Sequence, residues 1–200
     1  MINMKITFEI TDKLTDELIN LRRIDFFNNE FNNSEVLDEF DKVSIFPFLK
    51  IDNEIIGTTR ITDTSVVSSF EKWSKGKDLT PKGKDCYEIA RTVIAKKWQN
   101  KAMYHVLSIC ILKYLKNNNA TNVNSVLEIG FNLKNYFQRF GSIEYGKPYM
   151  CYDPPCIPVL VQAYSLDVGT EDFSIRFKKE SDRILNVINN RGFNLNYPLY

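Results

Sequence analysis

Two short charged segments, Asp38-Glu39-Phe40-Asp41 and Glu88-Ile89-Ala90-Arg91, stand on either side of a strand-like run that closes on a lone Arg60. Read as D-x-x-D and E-x-x-R and taken with Arg60, they set three carboxylates (Asp38, Asp41, Glu88) and two guanidiniums (Arg60, Arg91) at motif-like spacings. In a chain that is 26% charged, either segment alone describes a solvated face or a surface ion pair. Their order and surroundings carry more. Ser44 to Ile51 and Glu54 to Ile61 read as two strands separated by Asp52-Asn53, a short polar turn that predicts an antiparallel hairpin. The first acidic segment therefore sits just before a strand, and Arg60 lies at the far end of that strand's partner.

The remaining elements follow from the same kind of patterning. Ile6 to Ile10 alternates as a strand, and Thr11-Asp12 is a plausible cap for a helix running to about Phe27, followed by an Asn-rich loop from Asn28 to Asn33. Glu71 to Lys84 holds five lysines, two glycines and Pro81, the composition of a mobile excursion. Tyr87 to Ala95 reads as a strand in which Glu88 and Arg91 face opposite ways unless a bulge intervenes. Ala102 to Leu115 carries a doubled i, i+4 apolar stripe, the mark of a helix with a wide buried face. Val123 to Ile129 and Ile157 to Tyr164 are further strands, Asn132 to Phe140 a short helix ending at Gly141, and Glu171 to Asn190 a charged C-terminal helix. Adjacent strands mixed with crossovers predict an α+β class with a mixed, mostly antiparallel central sheet and helices on both faces.

Composition sets the outer limits. With 200 residues and 44% apolar content, the chain (1–200) is expected to form a single domain around one core. A net charge of +1 argues against a dominant nucleic-acid surface. No apolar run is long enough to predict a membrane span, and the start lacks the apolar segment of a secretory signal, so a cytoplasmic location is expected. Cys86, Cys110, Cys151 and Cys156 are too few and scattered for a disulfide framework. With His105 as the sole histidine and no C-x-x-C, no metal site is expected.

Taken in order, Leu21-Arg22-Arg23-Ile24-Asp25-Phe26-Phe27, the D-E-F-D segment, Ile55-Ile56-Gly57-Thr58-Thr59-Arg60, the E-I-A-R segment and Phe137-Gln138-Arg139-Phe140-Gly141 give the chain its clearest likeness. Over roughly residues 5–165 it resembles the autoinducer (acyl-homoserine-lactone) synthases of quorum sensing and related N-acyl amino acid synthases, acyltransferases of the GNAT fold. That resemblance implies transfer of a fatty acyl group from acyl carrier protein, or from acyl-CoA, to the amine of an amino acid or S-adenosylmethionine. It implies no tightly bound cofactor. Glu88 becomes the candidate general base, with Arg91 and Arg60 pairing with Asp38, Asp41 or Glu88 to fix rotamers and keep the acids ionised. Arg22 and Phe26 belong to the acceptor pocket, and Asp38 and Asp41 contact a cationic acceptor or shape the lid over it.

Departures from the pattern matter as much. Ordinary CoA-dependent acetyltransferases carry Gln/Arg-x-x-Gly-x-Gly/Ala before the helix that receives the pyrophosphate, whereas here Gln99 is followed by Ala102 and Tyr104 at the glycine positions. Lys96, Lys97 and Lys101 next to that turn suit an acidic carrier protein, steering encounter more than adding affinity, and equally suit a solvated helix start. Phe137 stands where many acetyltransferases place an acid tyrosine, Ala90 replaces a serine of the family block, and the family tryptophan is missing near Phe31. Two alternatives therefore stay open: a conventional acetyl-CoA-dependent acetyltransferase, and a catalytically silent GNAT-like binding domain.

Overall fold

The computed structural model describes residues 4–26, 36–128, 136, 138–144, 148–150, 158–165 and 171–200. The chain divides into two compact units, one formed by Met1–Ile61, Arg91–Leu115 and Lys178–Tyr200, the other by Thr62–Ala90 and Lys116–Phe177.

In the first unit β1 (Met4–Thr11) leads into α1 (Asp16–Leu21). The helix is capped by Thr15, whose side chain accepts from Leu18 N, and two acids in its first turn complement the helix dipole. The cap therefore lies three residues beyond the expected Thr11-Asp12. The helix does not run on regularly, because Arg22–Phe26 widens into a π-turn, a form that appears mostly as single turns and often at functional sites. A 3-10 turn at Glu39–Val43 follows, then β2 (Ser44–Ile51) and β3 (Glu54–Asp63). Asp52 and Asn53 both adopt positive φ, 49° and 68°, the two left-handed positions that a two-residue hairpin turn demands.

β1 runs antiparallel to β2, from Ile6↔Ile51 to Thr11↔Phe46. On its other side it pairs in parallel with β9 (Phe193–Asn196), a strand that the polar sequence of the C-terminus does not announce. Leu18, Phe46 and Phe48 pack together, with Leu14 and Ile55 against them. The doubled stripe expected from residue 102 onward is α3 (Met103–Asn117), which buries Val106, Leu107, Ile109, Cys110, Ile111 and Leu115.

In the second unit the ladder is parallel between β4 (Cys86–Ile94) and β5 (Asn122–Glu128), from Cys86↔Asn122 to Ile89↔Ser125. β5 continues to Glu128 against β8 (Pro158–Ser165), and β8 also pairs with β6 (Ile143–Glu144) and β7 (Tyr149–Met150). The stretch expected to be a mobile excursion is instead anchored. It begins as α2 (Ser69–Ser74), and Ser74 at the helix end is buried and hydrogen-bonded to the buried Asp78, which in turn accepts from the buried Thr80. Lysines at its surface gave the composition of a loop, while the short polar residues between them satisfy the backbone inside. The first turns of α4 (Glu171–Asn190) bury Phe173 and Phe177, the latter beside Phe140. Most of the helix expected at 132–140 lies outside the described residues, as do Cys151 and Cys156.

Candidate functional site

The acidic segment folds as a capping box. Asp38 accepts from Phe40 N at 3.0 Å, and Asp41 reaches back to Asp38 N at 3.0 Å. This turn locks both carboxylates beside three arginines of the same unit. Arg60 Nη1 donates to Asp38 Oδ1 at 2.5 Å and to Asp41 Oδ1 at 3.4 Å, Arg91 donates through Nε and Nη2 to Asp38 Oδ2, and Arg22 Nη1 donates to Asp41 Oδ1 at 2.9 Å. Arg22 and Arg60 are completely buried, Arg22 over the Phe46 ring and Arg60 over Phe40. The network thus holds one more cation than anion. Arg22 Nε and Nη2, the side-on edge of its guanidinium, have no hydrogen-bond partner among the described residues.

Burial works against the charge of Asp38 and of Arg22. It acts to raise the Asp38 carboxyl, and the hydrogen bonds and charges of Arg60 and Arg91 overcome it, leaving the group below its ordinary range. For Arg22 desolvation prevails over the attraction of Asp41, so its guanidinium is lowered. Replacing a buried ion pair by apolar residues often stabilises a fold. A five-member network of this kind is therefore not explained by stability alone.

β4 carries Arg91 and the remaining candidate, Glu88. Its burial alternates through Cys86, Glu88 and Ala90 and then slips, with Arg91 buried next to Ala90. Arg91 has φ 55°, a left-handed value for a non-glycine residue, and this local bulge breaks the parity of an ideal strand. Glu88, in the second unit, is fully buried and turns to the start of α2: it accepts from Ser69 N at 2.8 Å, Ser69 Oγ at 2.7 Å, Phe70 N at 3.4 Å and the Ser68 hydroxyl. Desolvation raises its carboxyl, and these four donors offset part of the rise. Sequence reasoning missed Ser68 and Ser69. The signal was present, because Ser68-Ser69-Phe70-Glu71 has the S-x-x-E spacing of a helix start, and Ser68 does cap α2 through Glu71 N.

The turn before α3 keeps a feature that its composition hides. Asn100 and Ala102 adopt φ of 63° and 65°, so the chain takes a left-handed kink at the position where glycine was expected. Of the lysines beside it, Lys97 is tied to Glu54 at 2.7 Å, and Lys97 and Lys101 both lie over the Trp98 ring. Phe26 ends the π-turn, with its side chain outside the described part of the structure, and Phe137 also lies outside the described residues. Among the described residues no cluster of His, Cys, Asp and Glu could hold a metal ion, and no helix is long and apolar enough to cross a membrane.

The chain superposes on the CoA-dependent acyl-homoserine lactone synthase BjaI, solved with SAM and isopentyl-CoA, with a TM-score of 0.67 over 98% of this chain and 94% of that one, at 13% identity. It has the GNAT acyltransferase fold. The acyl-homoserine lactone synthase LasI aligns with a TM-score of 0.60 over 82% of this chain and 93% of its own, at 16% identity. An acyl-CoA N-acyltransferase from Pseudomonas aeruginosa aligns with the same score over 80% and 98%, at 17% identity. No family model and no curated protein matches the sequence. The α+β class with a mixed sheet, expected from the order of elements, is therefore the fold observed, shared with GNAT enzymes that include acyl-homoserine lactone synthases.

Proposed function

We propose that this chain is an N-acyltransferase that moves an acyl group from acyl carrier protein or acyl-CoA to the amine of an amino-acid-like acceptor, S-adenosylmethionine included. The observation that carries the reading is the buried network of Arg22, Asp38, Asp41, Arg60 and Arg91. Each of its residues lies in one of four of the five blocks by which the sequence resembles the autoinducer synthases. With one cation in excess, the network favours an anionic group on the acceptor, and the Nε/Nη2 edge of Arg22 is a fork of the geometry that takes a carboxylate bidentately. An α-amino acid presents such a carboxylate beside its amine.

Glu88 is the base in this reading. Acyl transfer needs the acceptor nitrogen neutral before it attacks the thioester carbonyl, and a carboxyl raised by burial is a better proton acceptor near neutral pH than an exposed one. On the donor side, the left-handed kink at Asn100 and Ala102 supports approach of a phosphate to the backbone. Both CoA and carrier-bound phosphopantetheine offer one. Lys96, Lys97 and Lys101 would meet an acidic carrier from the same turn. A cytoplasmic site of action follows from such substrates.

The test is direct: hexanoyl-CoA, hexanoyl carrier protein and acetyl-CoA are each incubated with the common amino acids and S-adenosylmethionine, and amide products are read by mass spectrometry. Hexanoyl amides of an amino acid or S-adenosylmethionine are the expected result. Product from acetyl-CoA alone would assign a conventional acetyltransferase, and no product from any pair would assign a silent binding domain.

A further inference from the structure

The two oxygens of Glu88 are used unequally. Oε2 accepts three hydrogen bonds, from Ser69 N, Ser69 Oγ and Phe70 N, which exhausts its lone pairs. Oε1 meets one group among the described residues, the Ser68 hydroxyl, in a very short contact. Glu88 and Ser69 are fully buried, whereas Ser68 is half-buried. Ser68 Oγ also accepts from Glu71 N at 3.0 Å, which leaves it one lone pair. A carboxylate enclosed in this way can take up a proton only through a neighbour that passes one on, and the neighbour on its unsaturated oxygen is a hydroxyl.

Resting on the acyl-transfer reading above, we propose that Ser68 relays the acceptor's ammonium proton to Glu88. The N–H bond of the ammonium breaks with its electron pair left on nitrogen, and the proton goes to the open lone pair of Ser68 Oγ. At the same time the Ser68 hydroxyl proton passes to Glu88 Oε1. One cation and one anion become a neutral amine and a carboxylic acid, serine is unchanged, and no further reactant is consumed. The direction suits a dry site, because burial favours the uncharged carboxyl. The groups acting on that carboxyl come from the first turn of α2 and are uncharged hydroxyls and amides. Its register partner on β5, Asn124, is uncharged too, and Glu71, the titratable residue of that turn, is exposed.

Ser68→Ala, Ser68→Asn and Ser68→Thr test the relay, with hexanoyl-CoA and hexanoyl carrier protein as donors. Asparagine keeps the helix cap and can donate to Oε1, but an amide does not pass a proton on, and threonine keeps the hydroxyl. The expected result is a fall in kcat/KM of about 10²- to 10⁴-fold for Ala and Asn, with Thr largely restored. That deficit should narrow as pH rises toward the pKa of the acceptor amine, because an amine already neutral needs no base. A deficit that is constant with pH, or an Asn variant at the wild-type rate, overturns the relay while leaving acyl transfer in place. A wild-type protein that makes no amide with any donor overturns acyl transfer, and the relay with it. Independently of turnover, the infrared carboxyl band identified by its loss in Glu88→Gln should titrate at higher pH in Ser68→Ala, since a hydrogen bond to the carboxylate is gone. An unmoved titration overturns the pairing of Ser68 with Glu88.

Discussion

Arg91 sets the Nε and Nη2 edge of its guanidinium on a single oxygen of Asp38, at 3.2 and 2.8 Å, although the two residues are 53 positions apart. A backbone bulge at φ 55° belongs to the same residue, and a left-handed non-glycine costs roughly 1–2 kcal/mol. The ion pair and the bulge are therefore one feature. Strain at Arg91 is kept where its side chain closes the network on Asp38.

Removing Asp38 should expose the cost of that arrangement. Asp38→Ala leaves Arg60 and Arg91 without their shared carboxylate, and breaking a buried pair costs about 3 to 5 kcal/mol. Urea unfolding should show a loss of that order. The double variant Asp38→Ala/Arg91→Ala should lose less than the sum of the two single changes, because the second removes a charge that the first has stranded. Strictly additive losses would count against a coupled pair.

The two perturbed carboxyls act on stability at different pH. Asp38 is lowered in the folded protein from an ordinary 3.8, so its contribution is present above that value and is lost as pH falls through the depressed one. Glu88 is raised from 4.5, so its contribution is full below that value and is lost as pH rises through the elevated one. Denaturant midpoints of Glu88→Gln and wild type should therefore diverge in favour of the variant as pH rises above 4.5, by about 1.4 kcal/mol for each unit of elevation. A gap that stays constant over this range would show that Glu88 titrates like an exposed acid.

How far these features could be read from the sequence depends on the distance over which their causes act. The hairpin was legible because Asp52-Asn53 and the flanking strands are local, and α3 because its stripe repeats within one helix. Asp38, Asp41, Arg60 and Arg91 could be nominated from spacing, and the structure brings all four together with Arg22. The direction of Glu88 could not be read, since it depends on α2 lying in a stretch whose lysines imitate a loop. β9 was invisible for a related reason: a polar four-residue strand is defined by its partner β1 and not by its own pattern.

Gly57 offers a test of packing between β3 and β4 in the first unit. A Cβ added there would overlap Ile94 Cδ1 and stand 3.2 Å from the Val93 carbonyl oxygen. Gly57→Ala should therefore destabilise by about 1–3 kcal/mol, the usual cost of overpacking. Ile94→Val removes the methyl that is struck first, so the pair Gly57→Ala/Ile94→Val should recover part of the loss in thermal unfolding. A double variant as unstable as the two changes added together would place the clash on the Val93 carbonyl instead.

Ala102 allows strain and function to be separated at the turn before α3. Its φ of 65° costs an L-residue roughly 1–2 kcal/mol. A glycine there escapes this but loses about 0.5–1 kcal/mol through greater freedom in the unfolded chain. The balance predicts that Ala102→Gly stabilises by about 0.5–1 kcal/mol, whereas Ala102→Val, branched at Cβ, destabilises. Because glycine keeps the left-handed kink available, the backbone N–H groups should keep their direction, and the KM for the acyl thioester should be unchanged in Ala102→Gly and raised in Ala102→Val. Urea unfolding and steady-state kinetics on the two variants check both halves. A loss of stability in Ala102→Gly would mean that the packing of one methyl group outweighs the strain of the turn.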